Sequence, residues 1–375
     1  MQSLEVFEQK QRLAGLTHTL HRFSGPAPQQ LVQTEGKNVR CFACGHCCLI
    51  QPGHDGVCRV RFNADGVLQV PRGYVGPVAC DPIEKKPFFH VLPGSDALTF
   101  GMLGCDLHCG YCQNWVTSQM LRDADAVAPP RPATAQQLVA AALENRAPVI
   151  ASSYNEPLIT SEWAVEVFTL ARKHGLKCAY ISNGNATPQV LDYLRPVVDA
   201  YKVDLKTFNP KHYRDLGGVM ENVVRTIRDL KQRKFWVEIV TLVVPGFSDD
   251  TEELTRMADF LASVDPLMPW HVTAFHPDYK MIDRPKTAAE DLLRIAAIGR
   301  RAGLKYVYTG NLPGQVGEEE NTRCHACEST LIRRVGFRVL ANRVGADGQC
   351  PDCGQAIPGI WGQSSGHGDG RVRPM

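Results

Sequence analysis

Three cysteines, Cys105, Cys109 and Cys112, stand at the spacing C-x3-C-x2-C within Gly104-Cys105-Asp106-Leu107-His108-Cys109-Gly110-Tyr111-Cys112-Gln113-Asn114, just after the apolar run from Ala97 to Met102. Thiolate is a soft ligand that selects zinc and iron–sulfur clusters. Closed sites of either kind take four protein ligands, and this tight stretch offers three. A cubane held by three thiolates keeps one iron open for a substrate or cofactor. The alternative is a structural metal loop whose fourth ligand is His108 or a distant residue. Tyr111 sets an aromatic ring directly before the third cysteine.

The other cysteines fall into two further groups, with Cys80 and Cys178 alone among the fourteen. Cys41, Cys44, Cys48 and Cys58 read C-x2-C-x3-C-x9-C, with Gly53 and Gly56 allowing a tight return and Cys47 an adjacent spare or alternative ligand. Ligand type there admits zinc or a second iron–sulfur cluster. Cys324, Cys327, Cys350 and Cys353 read C-x2-C-x22-C-x2-C, two knuckles around one tetrahedral metal. Four thiolates close that sphere, so the site reads as structural, with Zn2+ the expected ion. Gly354 suits the second knuckle, whereas Glu328 takes the matching place in the first. Close C-x2-C pairs in a chain of 375 residues point to metal sites rather than disulfides, and to a reducing cytoplasm.

These groups need a frame. From Ala97 onward strand-like and helix-like runs alternate. The strands are read at 98–101, 148–152, 177–181, 200–204, 235–244, 270–275 and 305–309. Thr134-x-x-Gln137 and Thr287-x-x-Glu290 are capping-box patterns, and Asp250 with Glu253 offers the same reciprocal cap in acidic form. Strand–helix repetition demands an α/β fold with a parallel sheet and right-handed crossovers. Seven strands suit a partial TIM-type barrel, with a doubly wound sheet as the alternative. The segments divide as 1–40, a polar lead with a short helix over Leu4 to Leu20; 41–95, the Cys-rich module with a hairpin around Asn63-Ala64-Asp65-Gly66; 96–312, the barrel; 313–362, the zinc-ribbon-like module with four cysteines; and 363–375, a Gly/Ser/Arg-rich tail that reads as disordered. Ligands collect at the carboxyl ends of parallel strands. Those ends carry Ser153-Tyr154-Asn155-Glu156-Pro157, Ser182-Asn183-Gly184-Asn185, Asp204 with Lys206, Val244-Pro245-Gly246, and His276-Pro277-Asp278-Tyr279-Lys280.

Here the text resembles a known family. Asp81-Pro82-Ile83-Glu84-Lys85-Lys86-Pro87, the stretch from Gly104 through Trp115, Tyr154-Asn155-Glu156-Pro157, Ser182-Asn183-Gly184 and Phe275-His276-Pro277-Asp278-Tyr279 look like the radical S-adenosylmethionine (SAM) enzymes of the AmmeMemoRadiSam system. That group is similar in turn to pyruvate formate-lyase activating enzymes, and the likeness covers about residues 41–358. It implies a [4Fe-4S] cluster on Cys105, Cys109 and Cys112, with SAM chelating the open iron. Tyr111, Asn155, Glu156, Ser182, Asn183, Asp204 and Lys206 then lie along the SAM path, Tyr111 on the adenine side. One electron from the reduced cluster would cleave SAM to methionine and a 5′-deoxyadenosyl radical that abstracts hydrogen from the substrate. An electron donor such as flavodoxin or ferredoxin is implied as partner. His276, Asp278, Tyr279 and Lys280 are the candidates for substrate contact, and no general base is assigned. Relatives often begin the first cysteine group differently, whereas this chain has Gly45-His46 and the doubled Cys47-Cys48.

A protein or peptide substrate encoded nearby, as in glycyl-radical activation, and a small molecule are both open as targets. The rival class is a non-catalytic metal-bearing scaffold that binds nucleic acid or protein, favoured by Arg333, Arg334, Arg338 and Arg343. A net charge of +2 and the lack of interleaved aromatics there argue against nucleic acid. No stretch has the length of a membrane span, and the N-terminus lacks the apolar core of a signal peptide.

Overall fold

The computed structural model describes residues 15–362 and the backbone of 373–374. Seven strands form its centre: β1 (Asp96–Phe100), β2 (Val149–Ser152), β3 (Lys177–Ser182), β4 (Ala200–Asp204), β5 (Trp236–Val243), β6 (Trp270–Ala274) and β7 (Val307–Gly310). All pair in parallel, and each neighbours the next in chain order. A doubly wound sheet reverses its strand order at a switch point. This one never does, so the singly wound, barrel-type arrangement holds. The far edge of β1 pairs antiparallel with Val78–Pro82, and among the described residues β7 has no second neighbour in the sheet. The barrel is partial.

The strands are buried almost throughout, as expected of a parallel sheet covered by helices. The crossovers are α1 (Ala135–Glu144), α2 (Ser161–Lys173), α3 (Pro188–Leu194), α4 (Met220–Gln232), α5 (Thr251–Val264) and α6 (Ala289–Arg301). Helix α1 starts on the full Thr134/Gln137 capping box, and α3 on the Thr187 side chain with Pro188 in the first turn. Two expected boxes are different. Asp250 accepts from the Glu253 amide, but the Glu253 carboxylate turns away to Thr207 Oγ1 and the Phe208 amide, where it fastens the β4 exit. Thr287 lies before α6 and bridges two strands instead, donating to the Val243 carbonyl at 2.6 Å and accepting from the Phe275 amide at 2.9 Å. In both places a tertiary partner outcompetes the local cap.

The cysteine-rich segment forms a three-stranded antiparallel sheet of Val32–Glu35, Asn38–Cys41 and Leu49–Ile50. The hairpin Phe62–Ala64/Val67–Pro71 follows, turning at Asp65 and Gly66, both at positive φ. Arg61, 1% exposed, anchors this segment to α2 through two bonds to the Glu162 carboxylate at 2.7 and 2.8 Å. The C-terminal module is a second antiparallel sheet, Thr322–Arg323, Thr330–Val335 and Arg338–Asn342. Glu328 adopts the left-handed conformation (φ 61) that Gly354 adopts in the other knuckle (φ 76), so the non-glycine position keeps the turn. Of the lead segment, residues 15–21 are helical and the rest of the proposed Leu4–Leu20 helix lies outside the described residues. The tail proposed as disordered also lies outside them, except that Arg373–Pro374 pairs with Ala79–Cys80.

One buried carboxylate joins β5, β6 and the segment that leads into β1. Glu238 on β5 accepts from the amides of Phe89 and His90, from Trp236 Nε1 and, at 2.7 Å, from His271 Nε2. Burial pushes Glu238 up, but the His271 bond and nearby charges outweigh it and leave it below its ordinary value. Burial likewise holds His271 below its ordinary value. Both shifts act in one direction: the stability they supply is present near neutrality and is lost as pH falls, first for the histidine and then for the carboxylate. Glu238→Gln is therefore expected to lower the thermal midpoint at neutral pH, and the gap to wild type should narrow towards about pH 4. Differential scanning fluorimetry checks this; a gap independent of pH would contradict it.

Candidate active site

The loop with three cysteines leaves β1 at its carboxyl end. Gly104 sits at φ 90, where a Cβ would lie 3.0 Å from Val60 and 3.3 Å from the Cys58 carbonyl, so the loop presses against the N-terminal module. Cys109 is buried, and Cys105 and Cys112 are half-buried. The Leu107 amide donates to Cys105 Sγ at 3.4 Å, and Ser118 Oγ lies 3.1 Å from Cys112 Sγ. Burial raises all three thiols, Cys109 to about 12. A bound metal deprotonates such thiols outright. His108 is exposed with its ring against Gly217, away from any ligand set among the described residues.

Asp106, fully buried, fixes the loop. Its two oxygens accept from Asn183 Nδ2 at 2.7 Å and Asn185 Nδ2 at 2.8 Å, both at the end of β3. Its carbonyl meets His46 Nε2 at 3.2 Å. Glu156, after β2, is equally enclosed. One oxygen accepts from Ser182 Oγ at 2.7 Å and the Leu158 amide at 3.0 Å, the other from the Asn183 amide at 2.7 Å. Burial, and then the nearby Asp106, push Glu156 up to about 8 despite these bonds. Asn155 serves the backbone, accepting from the Met102 amide at 2.9 Å.

A cavity of about 420 Å³ opens in front of the three cysteines. Cys105, Cys109, Cys112, Tyr111, Asn155, Glu156, Ser182, Asn183, Asp204 and Lys206 all line it. Tyr111 packs edge-on against Phe247 at 5.7 Å, and its buried hydroxyl has no hydrogen-bond partner. Asp204 is flanked by Lys202 and Lys206; burial alone would raise it, but the two ammonium groups hold it below the usual carboxylate range.

Four of the further lining residues stand out for chemistry that the sequence reading did not assign. Lys86 Nζ donates to Asp81 at 2.6 Å and Tyr154 Oη at 3.1 Å, Lys85 reaches the same carboxylate at 3.1 Å, and Phe337 arrives from the C-terminal ribbon. Burial brings Lys86 down to about 8 against the pull of Asp81. Tyr154 holds φ 68, a strained value for a non-glycine residue at a strand end. The fourth, Lys202, shares a strand face with Asp204, a period-two relation legible in the sequence. Lys85 and Lys86 lie in a quoted motif with no stated function, and Phe337 gives no local signal at all.

His276, Asp278, Tyr279 and Lys280, expected at the substrate, do not line the cavity. Tyr279 stacks on Trp115 at 5.1 Å and donates to Asp123 at 2.7 Å, Lys280 pairs with Asp123 at 3.3 Å, and the Lys280 amide donates to the Gly110 carbonyl. His276 is exposed, with Nε2 3.4 Å from Gln113 Nε2, and Asp278 accepts from the Tyr279 amide. The segment clamps the outer side of the cysteine loop.

Among the described residues one set of sulfurs closes on a single point: Cys324, Cys327, Cys350 and Cys353, all within 4.8 Å of one another. No three of Cys41, Cys44, Cys47, Cys48 and Cys58 do so.

Asp106→Ala strips Asn183 and Asn185 of their buried side-chain acceptor, at a cost of about 3 kcal/mol. A fall of several degrees in thermal midpoint is the expected readout, and an unchanged midpoint would contradict the role given to this carboxylate.

Residues 100–261 match the model of the Radical SAM superfamily. A protein of Methanocaldococcus jannaschii is 35% identical over 326 residues, 86% of this chain and 96% of its own length. The pyruvate formate-lyase 1-activating enzyme of Escherichia coli is 27% identical over 240 residues, 58% of this chain and 93% of that one. A radical SAM methyltransferase structure from Sphaerobacter thermophilus aligns with TM-score 0.45 and 17% identity, over 60% of this chain and 70% of that chain. The matched domain begins at the end of β1, runs through the cysteine loop and reaches α5, and on that ground the chain belongs to the radical SAM superfamily and is an enzyme.

Proposed function

We propose that this protein is a radical SAM enzyme of the AmmeMemoRadiSam kind, acting on a protein or peptide. The observation that carries the reading is the shared cavity: three thiols without a fourth, the Glu156–Ser182–Asn183 network and the unpartnered Tyr111 hydroxyl all face one volume. The donor set fits the cofactors. Cys105, Cys109 and Cys112 would hold a [4Fe-4S] cluster with one iron open to SAM. Bound together, cluster and SAM supply reductive cleavage of a sulfur–carbon bond and a hydrogen-abstracting radical.

The chain's own residues bind and orient. Glu156 has three acceptor positions filled by protein donors and one left for an ammonium group, whose charge would restore its ionised form. Asp204 between Lys202 and Lys206 offers a mixed-charge wall suited to an amino acid carboxylate or a ribose. Tyr111 and Phe247 supply an apolar wall for a base. Phe337 brings the C-terminal module to the cavity, so that module forms part of the surface a macromolecular substrate meets. The activating-enzyme relatives support a protein substrate. Flavodoxin or ferredoxin fits as electron donor.

The Cys324 set would hold Zn2+. Two of its sulfur pairs, Cys324–Cys353 and Cys327–Cys350, lie 3.7 Å apart, and a tetrahedron with metal–sulfur bonds of about 2.3 Å has edges of about 3.8 Å. Fourteen free cysteines favour a cytoplasmic location. Among the described residues no helix is long and apolar enough to cross a membrane.

Purified without oxygen, supplied with iron, sulfide, SAM and a strong reductant, the protein should form 5′-deoxyadenosine; an intact cluster that yields none overturns the proposal. Cys109→Ala is expected to abolish that product. Glu156→Gln should weaken SAM binding about tenfold, corresponding to ~1.4 kcal/mol, as measured by titration calorimetry. Cys350→Ser should release zinc to a chelator while iron content stays at the wild-type level.

A further inference from the structure

One cysteine group has no role in this scheme. We propose that Cys41, Cys44, Cys48 and Cys58 hold a second iron–sulfur cluster that exchanges electrons with the one at Cys105, Cys109 and Cys112; this rests on the reading of that trio as a cluster site.

Sulfur spacing is the first argument. The ribbon cysteines close to 3.7 Å, the edge of a tetrahedron around one ion. Neither the catalytic trio nor any three sulfurs of the N-terminal group come within 4.8 Å of one another among the described residues. A polynuclear cluster spreads its thiolates in this way, because each binds a different iron. The N-terminal sulfurs are not gathered around one point as the ribbon's are, yet Cys41 lies near enough to Cys44, Cys48 and Cys58 to interact with each.

Backbone donors are the second argument. Sulfurs at the other two sites accept an amide from two residues ahead: Cys105 from Leu107, Cys112 from Asn114, Cys324 from Ala326, Cys327 from Ser329 and Cys353 from Gln355. Cys44 accepts from His46 in the same way, and Cys58 from Val60 and Arg61. Cys48 accepts from the amide of Val57. Such bonds stabilise thiolate and tune a cluster's potential. Cys47 lacks one and points its thiol at the Cys44 carbonyl, 3.8 Å away. Cys48 shares that donor pattern with Cys44 and Cys58, and Cys47 does not. Lone Cys178, by contrast, donates to the Phe168 carbonyl.

Position is the third. His46, two residues past Cys44, meets the carbonyl of Asp106, and the Cys58 carbonyl packs against Gly104. Gly104 and Asp106 flank Cys105, so the two sites share a wall. Cys47 and Cys48 are half-buried. One electron from an external low-potential carrier, a flavodoxin or ferredoxin, would reduce the second cluster and pass on to the catalytic one, returning the second to its oxidised state.

The test is iron and sulfide content after anaerobic reconstitution, with electron paramagnetic resonance of the reduced protein. Wild type should carry about eight irons per chain, and both C105A/C109A/C112A and C41A/C44A about four; Cys47→Ala should match wild type. Reduced wild type should show two signals, of which SAM changes one. A triple variant free of iron, or with zinc in its place, together with a single wild-type signal, overturns the second cluster. The wild-type spectrum decides alone if a variant fails to fold. The two readings fail separately. Four irons kept by C41A/C44A and lost by the triple variant would refute only the second cluster. Two clusters without 5′-deoxyadenosine would refute only the radical chemistry.

Discussion

The structure depends on one buried carboxylate beside the first cluster cysteine. Asp106 cannot reach water, so its two oxygens must find donors within the protein. They find Asn183 and Asn185, at the end of a strand more than seventy residues away in sequence. The loop that presents the three thiols is thereby tied to the end of β3. The same residue's carbonyl receives His46, which aligns the N-terminal module with the barrel. Loop, third strand end and cysteine-rich module share a single anchor.

Charge follows from that choice. A second carboxylate, Glu156, lies close enough for Asp106 to raise it, and both are enclosed. Burial beside a second acid disfavours the ionised form of Glu156, so the site is predisposed to accept a cationic group. Lys85, Lys86, Lys202 and Lys206 also line the cavity, paired with Asp81 and Asp204. The cavity therefore carries both signs of charge, which suits a zwitterionic ligand better than an apolar one.

Much of this was legible from residue order. The strand–helix alternation, the strand ends that gather Glu156, Ser182 and Asn183, and the four-cysteine ribbon follow from periodicity and spacing, which are local properties. What escaped is non-local. Thr287 and Glu253 fit capping patterns, yet tertiary partners across the sheet claim their side chains. The His276–Lys280 segment carries chemistry-bearing groups, but Asp123 and Trp115 draw it to the outside of the loop. Phe337 reaches the cavity only because the ribbon folds back over the barrel. Asp106, between two ligands in the central motif, has no role in the sequence reading because its partners are a strand end and a distant module.

The central claim is that the three thiols leave one iron open for SAM. Electron–nuclear double resonance on the reduced protein, mixed with SAM carrying 15N in its amino group, measures this directly. The account predicts a 15N coupling to the cluster that vanishes when unlabelled SAM is used. A cluster that binds SAM with no such coupling, or one whose fourth iron carries a protein ligand, would contradict it.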